Sequence, residues 1–143
     1  MKKRIPSYQE FEANFAEIRY TDTFDKQKKL VQYILAGLDS HHEGGLPIDY
    51  EQMTIEHIAP QNPDAGPVIA EENVGRLGNL ILVGADLNVL LANKPFKKKQ
   101  EILQGSRVWQ DELILKVDAW DDNAILGRTN KLAHLAYQKI WKV

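Results

Sequence analysis

One four-residue run limits what this chain can fold into. Leu80-Ile81-Leu82-Val83, preceded by Gly78-Asn79 and followed by Gly84, is the strongest strand signal in the 143 residues. A second segment, Tyr50 to Ile58, carries Thr and Ile in partial alternation and ends at Ala59-Pro60, which favours a short strand. The two predict one antiparallel pair. Elsewhere the apolar residues recur at helical spacing. Ser7-Tyr8-Gln9-Glu10 is a capping-box pattern, followed by Phe11, Phe15 and Ile18 on one face, and predicts a helix over about 8–18. After the polar break Thr21-Asp22-Thr23, Leu30, Ile34 and Leu38 with Val31 predict a second helix over about 25–40, stopped by His41-His42-Glu43-Gly44-Gly45. Leu87, Leu90 and Leu91 predict a helix from Asp86, and Pro95 at a first helical position opens another over Phe96 to Gln104. A last amphipathic helix starts near Asp121, capped by Asp121 or Asp122, with Ile125, Leu132, Ala136 and Ile140 inward. The fold class is therefore α+β and mainly helical: a short two-stranded antiparallel sheet embedded in helices.

Composition narrows the function classes. Without a single cysteine, disulfide scaffolds, zinc ribbons and thiol chemistry are excluded. The longest nearly unbroken apolar run, Leu80 to Ala85, is far short of the ~20 residues that span a bilayer. Polar Ser7, Gln9 and Glu10 follow the basic Met1-Lys2-Lys3-Arg4 where a secretory signal would be apolar, so a cytoplasmic protein without a membrane segment is expected. The length suits a single domain over 1–143, with a helical part at 1–45, a core at 50–104 and a helical closing part at 105–143. Residues 60–76, with Pro60, Pro63, Gly66, Pro67 and Gly75, predict a long loop, which in a compact domain tends to be functional. The net charge of −2 provides no bulk positive field, so any nucleic-acid contact must come from a local patch.

Among the four histidines, His41 and His42 lie in a polar turn and His134 lies beside the packing face of the last helix. His57 differs: it ends a strand beside Glu56 and is followed by Ile58-Ala59-Pro60-Gln61, so Pro60 leaves the imidazole at a strand-loop junction. Asn79 follows on the return strand and Asn88 on the next helix, and then comes Asn93-Lys94-Pro95-Phe96-Lys97-Lys98-Lys99. A strand, a hairpin-like return and a helix bring three polar side chains towards one point.

Three segments, Ile55-Glu56-His57-Ile58-Ala59-Pro60-Gln61, Leu77-Gly78-Asn79-Leu80-Ile81-Leu82 and Asn88 through Lys99, resemble the HNH, or ββα-metal, nucleases. More closely they resemble the C-terminal nuclease domain of GmrSD-type modification-dependent restriction and phage-defence proteins. That resemblance implies a ββα-metal core and a metal-dependent DNA endonuclease whose catalytic set is His57, Asn79 and Asn88. His57 matches the general base, and Glu56 the metal ligand beside it. Asn79 matches the middle Asn that ties the loop and orients the base. Asn88 matches the last position, where a neutral oxygen donor suits a hard cation, Mg²⁺ or Mn²⁺. Neighbours on a strand face opposite ways, so bringing Glu56 and His57 to one site calls for a twist or bulge at Ala59-Pro60. Asp86 is a rival ligand and equally a helix N-cap.

Lys94, Lys97, Lys98 and Lys99 concentrate four positive charges in a chain whose other fourteen basic residues face twenty acidic ones. Beside a metal site they are candidates to hold the phosphates of double-stranded DNA, with Arg76 and Arg128 as further candidates. So small a net charge makes a poor free nuclease. The resemblance accordingly implies the C-terminal domain of a longer protein, whose N-terminal nucleotide-handling or modification-sensing domain supplies specificity. The alternative reading is a catalytically inactive DNA-binding or protein-interaction module of the same fold.

Overall fold

A computed structural model describes residues 7–42, 53–61, 69–92, 94–104, 114 and 116–140, with the backbone alone for 39–42 and 139–140. Trp109, Trp141 and Asn93 lie outside the described residues, as do the side chains of His41 and His42. Ser7 opens the chain's first helix, α1 (Tyr8–Glu17), as its capping pattern requires: its hydroxyl accepts from the Glu10 N–H at 3.2 Å. Helix α2 (Lys28–His42) starts three residues later than its apolar spacing suggests. The chain first closes a tight hairpin in which the Thr21 and Phe24 backbones exchange hydrogen bonds of 3.0 and 3.1 Å. The Gln27 side chain then accepts from the Arg19 N–H, 3.1 Å away, drawing the start of α2 against the end of α1.

β1 (Thr54–His57) and β2 (Leu80–Val83) form the antiparallel pair, in the register Thr54↔Val83, Ile55↔Leu82, Glu56↔Ile81 and His57↔Leu80. All of β2 is buried, which explains its unbroken apolar run: a strand covered on both faces has no solvent side to make polar. Leu80 and Leu82 face one core with Phe15, Val31, Leu38, Ile55 and Leu132. Ile81 and Val83 face a second with Leu91, Leu103, Trp120 and Ile125. Between the strands, the stretch expected as loop contains a short helix, α3 (Glu71–Val74), and a 3₁₀ turn at Leu77–Asn79; residues 62–68 lie outside the described residues. The loop is folded there because a distant carboxylate supplies acceptors. Asp122 Oδ1 takes hydrogen bonds from the Ala70 N–H (2.9 Å) and the Asn73 amide (2.7 Å), which also hold its carboxyl below the usual carboxylate range.

Helices α4 (Ala85–Leu91) and α5 (Phe96–Gln104) cover the second core, and α6 (Asp122–Leu135), capped by Asp121, runs on through a π-helical turn, Ala136–Ile140. α6 clamps the turn before β2. A Cβ at Gly78 would stand 2.1 Å from the Ile125 carbonyl, so only glycine lets the turn approach. The Thr129 hydroxyl accepts from the Gly78 N–H, and Arg128, fully buried, donates to the carbonyls of Gly78 and Leu80, each at 3.0 Å. Arg128 is thus a structural clamp and not a DNA contact. Arg76 likewise points inward, donating to Asn73 Oδ1 at 2.7 Å and to the Ala16 carbonyl. No helix among the described residues is long and apolar enough to cross a membrane.

Candidate active site

Among the described residues β1 pairs only with β2, and its open edge borders a cleft of about 380 Å³. Tyr20, Asp22, Glu56, His57, Gln61 and Asn88 contribute to its lining. The ladder is regular through His57↔Leu80 and continues with the Ile58 N–H on the Asn79 carbonyl, 2.9 Å away, and the chain bends at Ile58 and Ala59 as it leaves the strand. Glu56 leaves β1 on the face toward α4 and α5, His57 on the face toward the Tyr20 hairpin, and both reach the cleft around the open edge.

His57 is 7% exposed, and its Nε2 lies 2.8 Å from the Tyr20 carbonyl oxygen. A carbonyl can only accept, so the proton is on Nε2 and the neutral ring keeps its lone pair on Nδ1. The Tyr20 ring stacks on the imidazole with centroids 5.8 Å apart and planes at 26°. Burial holds His57 below its ordinary value of 6.5, against the opposing pull of the Tyr20 hydrogen bond and the Asp22 carboxylate.

Glu56 is buried and doubly held. Lys99 Nζ lies 2.8 Å from Oε1, and Asn88 Nδ2 lies 2.8 Å from Oε2. Burial pushes the Glu56 carboxyl up and the Lys99 ammonium down, while each partner's charge works the other way. Lys99 is only 1% exposed and also donates to the His57 carbonyl at 2.7 Å. This corrects the expectation of a four-lysine phosphate patch: Lys99 is an internal counter-ion and cannot reach DNA. Lys97 and Lys98 are exposed, Lys98 standing 3.8 Å from Glu101, and Lys94, also exposed, folds back onto the Leu90 carbonyl.

Asn79 is not in the cleft. It is fully buried, and its amide is spent inside the fold: Oδ1 accepts from the Ala59 N–H and from Trp120 Nε1, both at 2.8 Å, and Nδ2 donates to the carbonyls of Ala59 (3.0 Å) and Val74 (2.7 Å). It is a positioning residue, holding the chain that leaves His57. Asp86 is exposed on the first turn of α4, does not line the cleft, and does not cap the helix, a place taken by Gly84.

Glu56 and Asn88 are brought into contact at the cleft, which Asp22 and Gln61 also line. Asn88 meets Glu56 through its amide nitrogen, which donates to Oε2. No group of three or more His, Asp or Glu that could hold a metal ion occurs among the described residues. Tyr20 was missed in sequence, and Lys99 was read only as one of the phosphate-binding lysines, because nothing near either one in the chain marks its role at the cleft. Their partners are 37 and 43 residues away.

Comparison with known proteins supplies the family. A search of curated proteins and a search of solved structures each matched nothing. The family model of the C-terminal domain of GmrSD restriction endonucleases matches residues 5–135, which takes in both strands, the cleft and all of α6. With the Glu56-His57 pair on an open strand edge, Asn79 in the turn and Asn88 on the following helix, the chain belongs to the GmrSD restriction endonuclease C-terminal domain family.

Proposed function

We propose that this domain is a DNA endonuclease of a restriction or anti-phage defence protein, acting in the cytoplasm and leaving 5′-phosphate and 3′-hydroxyl ends. The observation that carries the reading is the imidazole of His57, held from behind by a carbonyl so that the nitrogen left free is the basic one. His57 Nδ1 takes a proton from water as the oxygen attacks phosphorus in line with the departing 3′-oxygen. A pKa lowered by burial keeps the ring neutral, and so able to accept, further into acid than a solvated imidazole. Glu56 and Asn88 would hold one Mg²⁺ or Mn²⁺, which when bound offsets the negative charge on the leaving oxygen. Lys99 opposes the burial that raises the Glu56 carboxyl, and its bond to the His57 carbonyl fixes the backbone between the two residues. Lys97 and Lys98, with Lys94, contact flanking phosphates of double-stranded DNA. Specificity resides in an N-terminal nucleotide-handling or modification-sensing domain of a longer protein.

The test is plasmid nicking by the chain in Mg²⁺ or Mn²⁺ and in EDTA. Nicking that stops on chelation and returns with the metal is expected, with Asn88→Ala lowering it about tenfold at subsaturating metal. Activity in EDTA would overturn the metal reading, and no nicking under any condition would favour the inactive DNA-binding module.

The phosphate role makes a separate demand. Changing Lys97 and Lys98 together to Ala is expected to weaken binding of two unrelated duplexes equally, and to flatten the slope of log K against log salt by roughly 0.9 per lost contact. Fluorescence anisotropy at several salt concentrations, in Ca²⁺ to suppress cleavage, reads both quantities. An unchanged slope returns these lysines to an ordinary solvated helix face.

A further inference from the structure

The hairpin that holds His57 is itself held from behind, at a glycine. The Tyr20 N–H donates to the Gly75 carbonyl at 2.9 Å, while the Tyr20 carbonyl accepts from His57 Nε2 at 2.8 Å. At the tip, the Asp22 N–H donates to Gln61 Oε1 at 2.7 Å, tying the hairpin to the segment that leaves β1. Gly75 does not line the His57 cleft, and its φ of −89° is open to any residue, so the backbone conformation does not demand a glycine. Space does. A Cβ at this position would lie 2.9 Å from Thr21 Cγ2, 3.2 Å from the Tyr20 carbonyl oxygen and 3.3 Å from the Tyr20 nitrogen. The Thr21 methyl can turn aside, but the Tyr20 oxygen is backbone and moves only with the hairpin.

We propose that Gly75 is a positioning residue for His57, acting through the Tyr20 carbonyl. The proposal deepens the reading of His57 as general base and rests on it. One carbonyl determines which nitrogen carries the proton, and together with the Tyr20 ring it determines the plane of the imidazole. A shift of that carbonyl by a few tenths of an ångström therefore re-aims Nδ1 without touching Glu56, Asn88 or Lys99. Proton transfer falls steeply with such misalignment, whereas DNA binding, which depends on phosphate contacts, does not.

The test uses the whole chain, ¹⁵N-labelled and metal-free for NMR, then metal-loaded for nicking. In the parent, the His57 Nε2–H is expected as a resonance protected from exchange with water. In Gly75→Ala its exchange should speed up about tenfold, the scale of one lost hydrogen bond. The same variant should lose about tenfold in kcat for plasmid nicking, with KM within twofold of the parent. Gln61→Ala, which frees the hairpin tip and adds no atom, should move the same two readouts in the same direction and stands in if Gly75→Ala does not fold. Unchanged exchange and kcat in whichever of them folds overturns the proposal, even if the melting temperature falls, since a merely structural glycine lowers stability without reaching the imidazole. An unprotected Nε2–H in the parent also overturns it. If the parent shows a protected Nε2–H that both variants expose, yet never nicks DNA, the positioning stands and the nuclease reading fails.

Discussion

Replacing Lys99 by methionine is expected to destabilise the domain by about 3–5 kcal/mol at pH 7, the cost of leaving a buried ion pair half made. Methionine keeps most of the volume of the lysine stem, so the loss reports the charge rather than a cavity. Two groups are stranded by the change: the Glu56 carboxylate, 6% exposed and left, among the described residues, with the Asn88 amide, and the His57 carbonyl, which loses the Lys99 donor. The dependence on pH gives the sign. Glu56 is already raised above its ordinary 4.5 by burial, with Lys99 opposing the rise, so removing Lys99 raises it further. A folded-state pKa above the unfolded one means that the folded chain holds a proton the unfolded chain has released. Stability relative to the parent is therefore retained near pH 4.5 and lost as the pH rises through the folded value. Urea unfolding of parent and variant at pH 5 and pH 7 measures this. The deficit should be smaller at pH 5, and Lys99→Met combined with Glu56→Gln, which leaves no charge to strand, should recover at least half of it. Equal stability of parent and Lys99→Met would show that the ammonium is not the buried counter-ion of Glu56.

His57→Ala is expected to lower plasmid nicking at least ~10²-fold, the scale of a lost general base. Binding to duplex DNA in Ca²⁺ should stay within about twofold, because the proposed role gives the imidazole the attacking water and the Tyr20 carbonyl as partners and leaves the flanking phosphates to the lysines. The stability cost should be only about 1 kcal/mol, since cleft water can replace Nε2–H on the Tyr20 oxygen. In the parent, the acid limb of kcat/KM should have its midpoint below 6.5, because burial lowers the imidazole and the base stays unprotonated further into acid than a solvated histidine would. Rates across pH 5–8 in Mg²⁺ decide this, and a midpoint above 6.5 would contradict the burial of the ring. Nicking by His57→Ala at the parent rate would remove His57 from the chemistry altogether.

The sequence by itself determined the apolar skeleton. Period-four spacing in α2, the capping residues Ser7 and Asp121, and the unbroken run of β2 each describe a local bias that acts over a few residues and survives in any fold containing that element. The adjacency of Glu56 and His57, and the order of Asn79 and Asn88 after them, were legible for the same reason: neighbours in the chain remain neighbours in the fold. Only the tertiary structure decided what those side chains touch. Lys99 reads as one of four like charges, yet its ammonium crosses to Glu56, 43 residues away, while Lys97 and Lys98 stay in solvent. Asn79 reads as the residue that ties the loop, and it does so at Ala59, but its bonds to Val74 and to Trp120, the latter 41 residues away, come only from the fold. Arg128 reads as a surface cation and is fully buried against two carbonyls. The physical reason is the same in each case. Apolar burial is non-directional, so a pattern of residue types suffices to encode it, whereas a buried polar group must meet one partner at about 3 Å with the right geometry. That partner is chosen by how distant elements pack, which no local pattern records.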